Sequence, residues 1–144
     1  MPIFSKKMEQ KDYLMRYIEQ LGKVLAYLLG FREKGDSKGG LEVIDEALKE
    51  MTAMDSAGIN AIPEDRLVKE LCTERKLLPE QLKFIAELLF REGEFHEMGK
   101  HPAEALKRYR KSLLLLQHID KVERTYSLER MQRIGLLEDR IKEG

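Results

Sequence analysis

His96-Glu-Met-Gly-Lys-His-Pro-Ala-Glu-Ala-Leu-Lys-Arg-Tyr-Arg-Lys-Ser-Leu113 reads as the end of one helix, a tight turn and the start of another. Gly99 and Pro102 supply the stop and the new start. In the helix that follows, small Ala105 is succeeded four positions on by Tyr109, then three on by Ser112, with Leu113 next. Ala105, Tyr109 and Ser112 share one helix face. Antiparallel helices approach closely only where small side chains meet, and a large residue one turn on fills the groove beside them. Gly93 offers the matching small residue on the preceding helix. Phe31-Arg-Glu-Lys-Gly-Asp-Ser-Lys-Gly-Gly-Leu-Glu-Val-Ile-Asp-Glu-Ala-Leu48 has the same organisation, with Gly40, Ile44, Ala47 and Leu48 in the equivalent places.

Outward from these two segments, apolar residues recur at helical spacing and no run alternates as a strand does. The reading is an all-α chain of about six helices, built of antiparallel hairpins in a single domain over residues 1–144. A first hairpin spans 8–54, a short inserted helix 63–73, a second hairpin 79–119 and a capping helix 122–142. Residues 55–62 read as a linker. Pro63 and Pro79 sit where a first-turn proline belongs, each followed by Glu. In the first helix Leu14, Ile18, Leu21, Leu25 and Leu28 fall within a stripe of about 80°. Tyr13, Tyr17, Val24 and Phe31 widen it on one side and Leu29 on the other. A helix this apolar touches more than one neighbour, so Tyr13, Tyr17, Val24 and Phe31 are the expected self-association residues of a homodimer.

The pairing of Gly93 with Ala105, Tyr109 and Ser112 resembles the tetratricopeptide repeat, in which a first-helix Gly and a second-helix small residue mark the closest approach. The first unit matches at Gly35-Asp36, Ile44 and Ala47, with Leu28 where the family has the first-helix Gly. Gly40 and Ala105 stand 65 positions apart, against about 34 in a continuous array. The likeness therefore covers roughly half the chain. The opening Asp12-Tyr-Leu-Met-Arg-Tyr-Ile-Glu-Gln-Leu21 is similar to that of a family of small uncharacterised bacterial proteins with tetratricopeptide-like helices. The resemblance implies a protein-interaction module, with the first helix of each hairpin lining the concave side. On the fourth helix that side carries Glu87, Phe90, Glu94, Glu97 and Met98, an acidic rim with two apolar contacts suited to a basic-apolar peptide or a partner helix. The alternative is a face covered by the sixth helix or by a second copy.

Charge does not point to nucleic acid or a membrane surface, since Lys+Arg and Asp+Glu are both 26. Its distribution is uneven: residues 1–40 sum to +3, 41–99 to −7 and 100–144 to +4. Basic ends and an acidic middle suggest either decorated solvent faces or attraction between copies. Lys107, Arg108, Arg110 and Lys111 read as a solvated outer face. A nucleic-acid-associated regulator finds no groove-fitting motif to support it. The single cysteine, Cys72, and the absence of a leader-like apolar run in Met1–Lys7 give the expectation of a cytoplasmic protein.

No catalytic constellation assembles, so the expectation is a non-enzyme with no metal and no cofactor. His96 and His101 are five apart across Gly99, whereas a helical zinc pair needs four. His96 reads as a hydrogen-bonded core histidine and Cys72 as a buried small hydrophobe. The segment from Gly35 to Gly40 lacks the strand and the Lys-Ser/Thr ending of a phosphate loop. The expected partner is an unidentified protein or peptide. The alternative function is a self-assembling homodimeric structural protein.

Overall fold

The computed structural model describes the backbone of residues 3–144 and the side chains of residues 12–144. The opening Met1–Lys7, on which the no-leader expectation rests, lies outside the described side chains. The described chain is all-helical: α1 (Ile3–Lys34), α2 (Ser37–Thr52), α3 (Ser56–Ala61), α4 (Glu64–Lys69), α5 (Pro79–Met98), α6 (Pro102–Val122) and α7 (Leu128–Glu143). A π-helical turn, Glu70–Glu74, extends α4. No helix among the described residues is long and apolar enough to cross a membrane.

The breaks follow local chemistry. Gly35, at φ +69°, turns the chain out of α1. Asp36 then caps α2, its carboxylate accepting from Gly39 N at 2.9 Å. Asp55 does the same for α3 through Gly58 N at 2.7 Å. Residues 55–62, expected as a linker, therefore hold a helix, and the expected insert 63–73 is a shorter α4 plus its π turn. Six residues are too few for an amphipathic period to declare itself, which is why α3 left no signal beyond its cap.

Helix α1 packs on α2, α2 on α5, α5 on α6 and α6 on α7, while α1 also touches α5. The insertion is wedged between the second helices of the two hairpins, α3 on α2 and α4 on α6. The α5–α6 seam is closed by small residues. A Cβ at Gly93 would lie 2.2 Å from the Tyr109 ring, so only glycine fits beneath that ring. Ser112 Oγ donates to the Ala86 carbonyl at 2.7 Å, a bond that requires the two backbones to be close. Ala105 is buried in the same seam. The other hairpin repeats the device across a different pair of helices. A Cβ at Gly40 on α2 would lie 2.3 Å from the Phe95 ring on α5. The glycine pattern thus joins the two hairpins as well as closing one.

The core side of α1 departs from expectation. Tyr17, Val24 and Leu28 are buried, with Phe31 and Leu21 half-buried beside them. Tyr17 Oη donates to the Met51 carbonyl at 2.5 Å and meets Phe84 edge-on. Burial, followed by the Tyr13 hydroxyl, pushes its pKa up to about 12. Tyr17 and Val24 are thus core residues and are not available to a second copy. Tyr13 is exposed, 3.1 Å from Tyr17 through the hydroxyls. The open apolar residues lie on both sides of this core face: Leu14, Met15, Ile18 at 64% exposure and Leu29 at 56% on the aliphatic flank, and Tyr27 at 68% beyond Tyr13 on the other.

Candidate functional site

Two places concentrate polar chemistry. The first is the groove above α5, between α1 and α7. Arg133 on α7 donates to Glu87 at 2.6 Å, and Arg140, seven residues on, donates to Glu94 at 3.2 Å. Glu87 and Glu94 are themselves seven apart. Matching intervals climbing together mean that α7 runs parallel to α5. On the other wall, Leu21 of α1 lies with Glu80, Lys83 and Glu87, while Arg32 lies 3.6 Å from Glu94. So α1 is parallel to α5 as well, and three helices of one direction form one side of the molecule.

The five residues expected to bind a partner here fare differently. Phe90 is only 2% exposed. Guanidinium carbons of Arg133, Arg140 and Arg91 lie 3.8, 4.9 and 5.3 Å from its ring centroid. It is a buried anchor for α7, not an exposed contact, because cationic side chains stack on its π face. Glu87 and Glu94 remain in the groove, but each is engaged. Glu87 takes Arg91 Nε at 2.9 Å besides Arg133, and Glu94 takes Arg91 Nη1 at 3.0 Å besides Arg140. Glu97 is exposed, and Met98 is half-buried in a cavity of about 210 Å³ with Leu25, Leu28, Leu29, Arg32, Arg91, Glu94 and Phe95. A second cavity of about 610 Å³ continues the groove along Leu21, Glu87, Arg133 and Leu136. Tyr109, beneath this wall, takes a bond from Arg140 at 3.2 Å, and burial and then Glu97 raise its pKa.

The second place is a buried polar cluster on the far side of α5, where a cavity of about 550 Å³ meets α2, α3 and α6. Glu92, 2% exposed, accepts from Ser56 Oγ and from Asn60 Nδ2 at 3.3 Å, with Arg108 Nε 3.7 Å away. Burial raises the Glu92 carboxyl above the usual range, against the bonds from Ser56 and the nearby Arg108 charge. Among the described residues, the buried side-chain polar atoms without a hydrogen-bond partner are Asn60 Oδ1, His96 Nδ1 and Arg108 Nε, and all three belong to this cluster. His96 is therefore half-buried with one nitrogen unpaired, not fully bonded as expected. Burial and the Arg108 charge lower its pKa. His101 stands edge-on to it at 6.2 Å. No group of three or more His, Cys, Asp or Glu among the described residues is arranged to hold a metal ion.

The basic run on α6 divides. Lys107 and Arg110 are exposed as expected, but Lys111 is 5% exposed. Its ammonium donates to the carbonyls of Ile59, Asn60 (2.8 Å) and Ile62. It caps the C-terminal end of α3, a site favourable to a cation. Arg108, also on α6, pairs with Glu92 and Glu104. Composition hid both, since a buried lysine and a solvated one look alike in sequence. The half-buried thiol of Cys72 is raised by burial, which disfavours the thiolate. No family model, curated protein or solved structure matches the chain.

Proposed function

We propose that this chain is a non-catalytic protein-interaction module of tetratricopeptide-like build, whose working surface is the groove between α1 and α7. The observation that carries this reading is the open apolar wall of α1. Leu14, Ile18, Leu21, Leu25 and Leu29 recur at helical spacing on one flank, and two of the five, Ile18 and Leu29, are more than half exposed. Exposed apolar residues in a contiguous row mark an interaction site more often than isolated ones do. Three parallel helices, two of them backed by the second helix of a hairpin, support the tetratricopeptide likeness. The Glu92 cluster supports the non-enzymatic reading, because both carboxylate oxygens are taken by groups of the chain itself. A lone, unpaired Cys72 fits a cytoplasmic setting.

A photo-reactive amino acid at position 29 tests the proposal in cells. The expected result is a discrete cross-linked product with a different polypeptide, lost on Ile18→Glu. Absence of any product would remove the reading. A second reading, the homodimer, is favoured by one observation. A Cβ added at Gly22, one turn from Ile18, would meet nothing within 4 Å. A second helix could approach that side closely. A product of twice the chain mass, with light scattering that shows a concentration-dependent dimer, would select it.

A further inference from the structure

The groove carries enough charge detail to name its occupant, an inference that rests on the interaction reading above. All four carboxylate oxygens of Glu87 and Glu94 already face guanidinium nitrogens. Arg91 Nε reaches Glu87 Oε2, Arg133 Nη1 reaches Glu87 Oε1, Arg91 Nη1 reaches Glu94 Oε1, and Arg140 Nη1 with Arg32 Nη1 reaches Glu94 Oε2. Four arginines thus surround two glutamates, and each guanidinium has five N–H donors. Glu97, beside Tyr109, brings the acids named here to three against four cations. At the lower end Lys83 pairs with Glu80 and Glu123 and Arg130 with Asp120, two cations against three acids. The sequence suggested an acidic rim; the packing turns it into a cationic one.

The cationic end coincides with the apolar cavity of Leu25, Leu28, Leu29, Phe95 and Met98, whose 210 Å³ falls below the roughly 300 Å³ of small-molecule sites. It has room for one large apolar side chain. Arg32, 54% exposed on its side chain and holding Glu94 only at 3.6 Å, stands at the rim with unspent donors. We propose that the groove takes an amphipathic helix of a partner protein that is apolar on one face and acidic along one edge. A leucine- or phenylalanine-sized residue enters beside Met98, and a carboxylate one turn away bonds Arg32. A helix suits the site because the groove runs along a helix axis and is walled by helices.

Fluorescence anisotropy with two labelled 18-residue helical peptides tests this. Both carry the same leucine stripe; one has glutamates along its edge and the other lysines. The glutamate peptide is expected to bind at least tenfold tighter than its lysine twin at 50 mM salt, with the preference shrinking at 300 mM. Arg32→Glu is expected to weaken the glutamate peptide at least fivefold, and Arg32→Ala less, with unfolding midpoints unchanged because Arg32 is exposed. Equal or tighter binding of the lysine twin, indifference to both Arg32 variants, or no binding of either peptide overturns the proposal. So does a groove covered by a second copy, read as a concentration-dependent mass. If the peptides fail while the position-29 cross-link to another protein persists, only the partner chemistry falls. If the cross-link is also lost, the interaction reading falls with it.

Discussion

Glu92 and Lys111 are single side chains whose burial changes their chemistry. An acid whose folded pKa is raised holds a proton that the unfolded chain would release. From about pH 4.5 upward, the unfolded state gains stability by ionising while the folded state does not. The contribution of Glu92 is therefore fully present below its unfolded pKa and is lost as pH rises through the folded value. Glu92→Gln keeps the shape and removes the titration. The difference in unfolding free energy, variant minus wild type, is expected to rise with pH above about 4.5, measured by urea titration at a series of pH values. A flat difference would mean that Arg108 and Ser56 fully offset desolvation. Lys111 has the opposite sign of charge and a folded pKa lowered by burial, yet it carries three carbonyl bonds. Lys111→Met fills the same volume and strips those carbonyls of their donor. A loss of about 2–3 kcal/mol is expected in guanidinium unfolding, the scale of hydrogen bonds to a charged group. Neither role was legible in the sequence, because nothing local distinguishes Lys111 from Lys107. The distinction comes from α3, a helix 50 residues away that periodicity did not reveal.

At the scale of the helix, the same substitution has opposite signs depending on the face it falls on. Gly93 lies under the Tyr109 ring and Gly40 under Phe95, whereas Gly22 on α1 has open space around it. Alanine is favoured over glycine in a helix interior by about 1 kcal/mol. Gly22→Ala is therefore expected to raise stability by about 0.5–1 kcal/mol. Gly93→Ala is expected to lower it by about 1–3 kcal/mol, because the buried Tyr109 has no room to retreat. Urea midpoints of the two variants decide the matter, and a stabilised Gly93→Ala would undo the account of the α5–α6 seam. This seam was the most legible part of the fold. Gly93, Ala105 and Ser112 were readable because close packing dictates small residues at fixed spacing. The orientation of α1 was less so. Its apolar arc is wide enough that periodicity alone does not choose which flank meets α2 and α5. The structure buries Tyr17, Val24 and Leu28, where Tyr17 finds the Met51 carbonyl, and leaves Leu14, Ile18 and Leu29 open.

Over the whole molecule, the basic ends and acidic middle of the sequence fold onto each other. Arg32 near the start and Arg133 and Arg140 near the end converge on Glu87 and Glu94 in α5. The attraction between copies suggested by the charge pattern is thereby met inside one chain. The paired seven-residue intervals were present in the sequence, but parallel packing of helices 46 residues apart gives no local signal. Helix α7 packs on α6 with Leu137 buried and Ile134 and Ile141 half-buried against the core, and it meets α5 through these two arginines stacked over Phe90. The α5–α7 contact therefore depends on charge. Replacing both arginines, Arg133→Ala with Arg140→Ala, removes the cover over Phe90 and leaves two half-buried glutamates with only Arg91 and Arg32. Amide exchange is then expected to quicken throughout 128–143 while the α5–α6 seam keeps its protection, since Gly93, Ala105 and Ser112 are untouched and Tyr109 loses only its contacts with Arg140. High salt should produce a weaker version of the same pattern, because the guanidinium groups are about one quarter exposed on their side chains and so partly screened. Uniform acceleration across all helices would show instead that α7 unfolds only with the rest, and that the groove it walls is as rigid as the core.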